Sequence, residues 1–335
     1  HNCALFEDGD VKCWGANGVG QLGVGNTWNT GTANIAVDFG NNMKALDISM
    51  GYDHSCAILE NGLMKCWGDN RDGELGIGKT TNYLGTSALG SNSDFRFIDL
   101  GTDRGIFNMV TGQSLTCALV TDGEVYCWGH NEEGRLGTGT TPSSNVGDSE
   151  TEMGDNLVAV DFGTDIKTQQ LFTSKGESTL NYYYDGYPHS CAINSDGKVR
   201  CWGYGGNGQL GNEITNTIGD SLSEVGDNFI ITDIGGNVES LALGYHSTCA
   251  IREDGQVRCW GFNAYGQLAH ETTSSVGSTT DSMGNNLPAS DIWLKPKDTD
   301  DDGTIDLWDT DDDNDGSLDV DDKFILDPVS YTHLR

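Results

Sequence analysis

The chain has few basic residues, few prolines and no long apolar run, and each shortage removes a class of protein. Lys and Arg number 18 against 51 Asp and Glu, leaving a net charge of −33. A nucleic-acid binder needs a basic stripe that releases counterions from phosphate, so that class is excluded, as is binding to anionic membranes. No stretch approaches the roughly 20 apolar residues that cross a bilayer, which excludes direct membrane insertion. No secretory leader is visible. The chain opens on His1-Asn2-Cys3 without Met and inside a repeat, so it reads as a fragment, and the missing leader says nothing about targeting. Also missing are a Gly-x-Ser-x-Gly elbow, a phosphate-cradling Gly-Lys-Ser/Thr loop and a His-Glu-x-x-His helix. Only 5 Pro stand beside 47 Gly in 335 residues. That mixture suits many short strands joined by tight turns, because Gly destabilises helix interiors.

The ten cysteines fall at 3/13, 56/66, 117/127, 191/201 and 249/259, each pair spaced C-x9-C. Between the members of each pair lies a turn whose third residue is Gly: Glu7-Asp8-Gly9, Glu60-Asn61-Gly62, Thr121-Asp122-Gly123, Ser195-Asp196-Gly197 and Glu253-Asp254-Gly255. A three-residue loop with Gly third is the type I turn plus bulge of a β-hairpin, where Gly supplies the left-handed conformation. Centring the turn on Asp8 sets Phe6 opposite Asp10, Leu5 opposite Val11, Ala4 opposite Lys12 and Cys3 opposite Cys13. Cys and Leu/Val then share the apolar face, with the paired Cα atoms about 4.5–5.5 Å apart. Three states of these cysteines are open: buried free thiols, zinc ligands and disulfides. Zinc wants two close Cys/His pairs meeting at one point, and one pair per repeat does not converge. We expect five disulfides (Cys3–Cys13, Cys56–Cys66, Cys117–Cys127, Cys191–Cys201, Cys249–Cys259), each stabilising by about 2–3 kcal/mol. Disulfides in such number point to an oxidising compartment, hence to a secreted or cell-surface protein.

Each second Cys is followed by Trp-Gly, at Trp14, Trp67, Trp128, Trp202 and Trp260, then by an Asn and a Gly-x-Leu-Gly turn. Gly205 replaces the Asn in the fourth copy, and Ala269 replaces the last Gly in the fifth. A second strand motif follows, at Ile35–Gly40, Phe97–Gly101, Val158–Gly163 and Ile230–Gly235. A third, such as Ala45–Ser49 or Ser240–Leu243, leads into the Cys strand. The period runs from 53 to 74 residues between first cysteines, with about four strands in each, the size of a propeller blade. The longest spacing holds an insertion near Phe172–Tyr187. His1, His54 and His189 stand two residues before a Cys and His246 three before. We read these as hydrogen-bonding partners in the blades, and the Trp residues as blade packing.

The string Cys-Ala-Ile/Leu-x-x-Asp-Gly-x-Val-x-Cys-Trp-Gly-x-Asn-x-x-Gly-Gln-Leu-Gly resembles the regulator of chromosome condensation repeat, in the cysteine-paired form of secreted bacterial proteins. The resemblance covers about residues 1–295. It implies an all-β fold, a β-propeller with five hairpin units present as a fragment of a seven-bladed ring. Asp291-Ile292-Trp293-Leu294 offers a closing strand. Members of the family include an exchange factor for a small nuclear GTPase and inhibitors of β-lactamases. No residue of either matches here.

Residues 298–322 hold thirteen Asp and no Lys or Arg. Asp298, Asp300, Asp302, Asp306 and Asp309 occupy positions 1, 3, 5, 9 and 12 of one loop, with Gly303 at 6 and the Thr304 carbonyl at 7. Asp311, Asp313, Asp315, Asp319 and Asp322 repeat the pattern, with Gly316 and Ser317. Hard oxygen ligands around a sharp Gly turn are what calcium requires; a merely solvated acidic linker is the alternative. Only Thr310 separates the loops, leaving no room for helices. The arrangement resembles thrombospondin type 3 repeats, and Lys323–Pro328 is similar to the segment that follows them. Two departures are Asp in place of Glu at position 12 and the absence of Cys.

These readings divide the chain into propeller repeats (1–296), tandem calcium loops (297–328) and a tail (329–335). We expect a binding or adhesion scaffold rather than an enzyme, holding a protein or glycan partner on a calcium-stabilised stalk. The contact residues are expected in the segments after each Leu-Gly turn and in the insertion, with Tyr182, Tyr183 and Tyr184. The competing readings are a propeller-type lyase or hydrolase with a metal in a central channel and, behind it, an exchange factor.

Overall fold

A computed structural model of the chain describes residues 1–79, 83–91, 95–140, 145–175 and 188–290. The calcium loops within 298–322 and Tyr182, Tyr183 and Tyr184 lie outside the described residues. A compact unit spans His1–Ala289. It is all-β and consists of five antiparallel sheets, one per repeat.

Each repeat is built around its Cys hairpin. Unit 1 contributes Asn2–Leu5 and Val11–Trp14. Unit 2 adds an inner strand before the hairpin and a short outer one after it: Ala45–Met50, His54–Leu59, Met64–Asp69 and Tyr83–Leu84. Unit 3 runs Ile106–Thr111, Leu115–Val120 and Val125–Gly129. Unit 4 runs Thr168–Thr173, His189–Asn194, Val199–Gly203 and Ile231–Thr232. Unit 5 runs Val238–Leu243, Ser247–Arg252 and Val257–Gly261. The inner strands of consecutive units lie side by side.

Turn chemistry sets the hairpin register. Gly9 takes φ 79°, and Phe6 N–H donates to the Asp10 carbonyl at 2.9 Å. Counting back, Leu5 pairs with Val11, Ala4 with Lys12 and Cys3 with Cys13. Because pairs alternate along an antiparallel ladder, the cysteines occupy the close, non-hydrogen-bonded kind. All five pairs are disulfides, with Cα atoms 4.0–4.1 Å apart, closer than the generic spacing expected.

The units are joined through their tryptophans. Trp67, Trp128, Trp202 and Trp260 are fully buried. Each donates its indole N–H to a carbonyl in the Gly-x-Leu-Gly loop of the preceding unit. The acceptors are Gln21 at 3.0 Å, Glu74 at 3.1 Å, Arg135 at 3.1 Å and Gln209 at 2.9 Å. Aromatic packing completes the seat: Phe39 meets Trp67 edge-on at 5.7 Å and Phe162 meets Trp202 at 5.5 Å. Burying one such indole removes about 150–250 Å² from water, worth about 4–6 kcal/mol as an upper estimate. That exceeds the roughly 1 kcal/mol net of the hydrogen bond. Burial therefore drives the docking, and the bond fixes its geometry.

The histidines extend the same joint. Thr116 Oγ1 donates to the Glu74 carbonyl at 2.8 Å, so it must accept from His54 Nε2, 2.9 Å away. Thr248 likewise donates to the Gln209 carbonyl at 2.9 Å and accepts from His189 Nε2 at 2.7 Å. Ser55 and His1 repeat the arrangement on the Gln21 carbonyl. Burial pushes His54 down to about 4 and His189 to about 3, so both are neutral with the proton on Nε2. Unit 3 carries Leu115 where His would stand, and Ser190 of the next unit turns instead to Thr173 Oγ1 at 3.0 Å.

Two expectations change. The second strand motif is a strand only at Ile231–Thr232; elsewhere a single backbone bond ties it to the hairpin strand, as Val37 N–H to Val11 O, Ile98 to Met64 O and Val160 to Val125 O. The insertion starts later than Phe172, since Phe172 and Thr173 pair within the inner strand and Ser174 N–H donates to His189 O. Beyond these changes, the supported fold is an all-β array of five repeats, with no closed ring among the described residues; Asp291–Leu294, expected as a closing strand, lies outside them.

The Trp seat predicts a contrast between two glycines. A Cβ on Gly76 (φ 64°) would lie 2.6 Å from Trp128 Nε1, whereas one on Gly62 (φ 77°) meets nothing within 4 Å. Gly62→Ala should cost about 1 kcal/mol from the left-handed backbone alone. Gly76→Ala should cost about 2–4 kcal/mol, because overpacking adds to the strain. Urea denaturation of the two variants measures the difference.

Candidate binding face

Two positions of each repeat lie at the end of the hairpin away from its turn. One is the residue after Trp-Gly; the other is the turn between inner strand and Cys strand. A backbone bond ties them together. Asp69 N–H donates to Asp53 O at 3.0 Å, His130 to Ser114 O at 2.8 Å, Tyr204 to Pro188 O at 3.2 Å and Phe262 to His246 O at 2.8 Å. The main chain is thus held identically in four units while the side chains change from unit to unit. The inserted segment of unit 4 leaves from this same turn, between Ser174 and Pro188.

Units 2 and 3 make an ionic half. Arg71 Nε bonds both oxygens of Asp69, at 3.0 and 2.9 Å, and this partner raises Arg71 above its ordinary value. Gln21 Nε2 donates to Asp53 at 2.9 Å, yet burial raises the Asp53 carboxyl. Asp72 accepts from Asn145 at 3.0 Å and stands 3.8 Å from His130. Beneath them Glu74 is buried at the loop position where three other units carry Gln. Its Oε2 accepts from Asp72 N–H at 2.9 Å, as Gln21 and Gln209 accept from Val19 and Asn207. Burial, then the charge of Asp69, pushes the Glu74 carboxyl up to about 8.

Units 4 and 5 make an aromatic half. Tyr204 lies 6.4 Å from His246, Tyr245 3.9 Å from it and Phe262 6.1 Å, and Phe262 continues to Tyr265 at 6.0 Å. Tyr265 is 89% exposed. Burial lowers the His246 imidazole. Such a surface offers ring faces and edges to a partner.

The segments after each Leu-Gly turn, expected as contact loops, are partly joints between units: Gly25 N–H donates to Gly85 O, Gly78 to Gly147 O and Gly139 to Gly219 O. They also expose Trp28 and Leu222. Asp53, Asp69, His130, Tyr204, His246 and Phe262 were missed because each looks ordinary by itself. The available signal was the change of residue type down one repeat column. Among the described residues, no group of three or more His, Cys, Asp or Glu could hold a metal, so a metallo-enzyme channel finds no donor set there. No helix among them is long and apolar enough to cross a membrane.

Comparison with known proteins places these repeats. Residues 1–21, 46–74, 109–135, 186–209 and 238–267 match the Regulator of chromosome condensation (RCC1) repeat. The ultraviolet-B receptor UVR8 of Arabidopsis thaliana is 26% identical over 270 residues, covering 80% of this chain and 52% of the receptor. Prp20p of Saccharomyces cerevisiae superposes with a TM-score of 0.56 at 19% identity, over 80% of this chain and 57% of its own. Human WBSCR16 gives 0.57 at 18%, over 80% and 60%. The chain therefore spans a little over half the length of these proteins, and the likeness establishes an RCC1-type repeat fold. The expected secreted or cell-surface location is overturned. The structures the chain superposes on with TM-scores of 0.56–0.57 are Prp20p, described with Gsp1p and histones, yeast RCC1 bound to Kap60, and WBSCR16, and these place the fold with nuclear and cytoplasmic proteins. Cysteine spacing reports pairing geometry; the step from pairing to compartment was only a correlation. The expectation of a non-enzymatic protein agrees with Prp20p, described by its binding to Gsp1p and histones, and with yeast RCC1, described in complex with Kap60.

Glu74 predicts a pH signature. A carboxyl whose folded pKa is raised stabilises fully below its unfolded value, near 4.5, and that contribution is lost as pH rises to about 8. Glu74→Gln keeps the bond from Asp72 N–H and removes the charge. The variant should match the parent near pH 4 and become progressively more stable than it up to pH 8, as thermal melts across that range will measure.

Proposed function

We propose that this array of RCC1-type repeats is a protein-binding module that presents its ionic-and-aromatic turn face to a partner rich in Lys and Arg. The observation that carries the proposal is the column after Trp-Gly. Asp69, His130, Tyr204 and Phe262 share one backbone anchor and differ in everything else. A fold that stabilises itself elsewhere leaves such positions to recognition. The charge of −33 favours a positive partner through steering and complementarity. Prp20p, which shares the fold, is described by its binding to Gsp1p and histones.

The test is affinity capture with three forms of the chain. The parent and a control altered at the opposite, hairpin-turn end (Glu60→Lys with Asn61→Lys) should retain the same basic partner. A face variant (Asp72→Lys with Tyr265→Ser) should lose it by tenfold or more, and the retained binding should weaken with salt. Equal loss from the control and the face variant would remove the turn face from the proposal.

We propose separately that the Asp-rich segment within 297–328 binds two calcium ions. The ligands are Asp298, Asp300, Asp302, Thr304, Asp306 and Asp309 in one loop and Asp311, Asp313, Asp315, Ser317, Asp319 and Asp322 in the other. Two tandem loops with carboxylates at five matching positions support this reading, as does the mutual repulsion those carboxylates would suffer without a cation. Titration calorimetry with calcium chloride should give two ions per chain, falling to one in Asp298→Ala/Asp300→Ala. No heat at millimolar calcium would leave a solvated acidic linker.

A further inference from the structure

Four units hand their Gly-x-Leu-Gly loop to a neighbour's tryptophan, and the fifth ends that loop differently. Gly23, Gly76, Gly137 and Gly211 adopt φ between 61° and 70°. A Cβ on any of them would lie 2.6–2.8 Å from the indole Nε1 of the following unit. Ala269 occupies the equivalent place in unit 5. Its backbone is unchanged: φ is 52°, and its N–H donates to Gly266 O at 3.0 Å, as Gly211 N–H donates to Gly208 O at 2.9 Å. Its side chain therefore fills the space that every other loop reserves for an indole.

The surroundings of Ala269 agree. Gln21, Glu74, Arg135 and Gln209 are buried under the next unit, while Gln267, their counterpart, is exposed. Ile251 is 44% exposed where Ile58 and Ile193 are buried. Trp14 is half-buried, although the other four repeat tryptophans are fully covered. The chain thus carries an indole that could be seated and a loop of the right backbone shape. The loop carries one methyl group where the docking loops carry none. Alanine in the left-handed region costs on the order of 1 kcal/mol relative to Gly, and unit 5 keeps that strain where four sister loops avoid it.

We propose that Ala269 is a stop residue: it makes the unit 5 face refuse a Trp-bearing repeat, so that neither this chain's own Trp14 nor the Trp14 of a second copy docks there. The mechanism is steric. Docking would force the methyl to within 3 Å of the indole nitrogen or pull the indole off the Gln267 carbonyl, and either loses the close packing that drives the joint.

Ala269→Gly tests the proposal, and because Gly relaxes the backbone at φ 52° the variant has no new strain to fold against. Light scattering and sedimentation velocity over a hundredfold concentration range, with hydrogen exchange at Val11–Trp14, are read on the parent, Ala269→Gly and Ala269→Gly/Trp14→Ala. The parent should stay monomeric with Val11–Trp14 unprotected. Ala269→Gly should associate head to tail or, at unchanged mass, gain at least tenfold exchange protection at Val11–Trp14. Trp14→Ala should abolish whichever occurs. Parent-like mass and exchange in Ala269→Gly would overturn the proposal, as would association of the parent that Trp14→Ala removes.

Discussion

One contact organises this protein: an indole N–H delivered to the carbonyl of the preceding repeat's loop. Trp67, Trp128, Trp202 and Trp260 each make it, within 0.2 Å of one another in length. A propagated joint of this kind fixes what may stand on either side. The loop must end in a residue without Cβ, because a methyl would strike the ring. The Trp must sit at a constant height on its hairpin, which the disulfide one residue earlier secures by locking the two strands in register. The loop itself must not collapse, and a buried Asn prevents that: Leu22, Leu75 and Leu268 N–H groups donate to Asn17, Asn70 and Asn263. The repeat motif is therefore a description of one joint, and stability is passed from neighbour to neighbour.

The same joint explains the histidines. A carbonyl has two lone pairs, and where Thr116 or Thr248 takes the second, its own oxygen is free to accept from a buried imidazole in the unit before. The His tautomer follows from that chain of donors, without any metal or relay. The Thr and His side chains bond one another and the loop carbonyl across the joint, while the residue type at the outward turn changes from unit to unit.

Much of this was legible beforehand, and the reasons are specific. The Gly9 turn type determines its hairpin register, so the Cys3–Cys13 pairing could be counted out from local sequence alone. The partner of Trp67 could not be, because the Gln21 carbonyl lies in another repeat and only stacking brings it close. The second strand motif misled because Val37 and Phe39 alternate as a strand would, yet their burial comes from packing beside Trp67 rather than from a ladder. Asp69 and Tyr204 escaped notice since recognition residues carry no local pattern; they are visible only as differences between copies. The compartment was misjudged for another reason: a cross-strand cysteine pair is satisfied by geometry, and geometry has no address.

Unit 2 shows how far a repeat can depart from its own rule before the departure acquires a meaning. At the loop position that needs a hydrogen-bond acceptor for the main chain two residues back, Gln21 and Gln209 suffice with no charge. Glu74 meets the same need, and with its proton on it is nearly the same shape as Gln. Ionised, it sets a buried charge beside Asp69 and below Asp72. Arg71 answers on the surface by clasping Asp69, and His130 of the next unit stands beside Asp72. The acidic substitution in the buried loop and the ionic cluster above it thus form one arrangement. The units that keep Gln at 209 and 267 carry aromatic residues on the same face instead. In unit 2 the ionic cluster stands above the same loop residue whose carbonyl receives the Trp128 indole, which ties that part of the face to the joint that holds the array together.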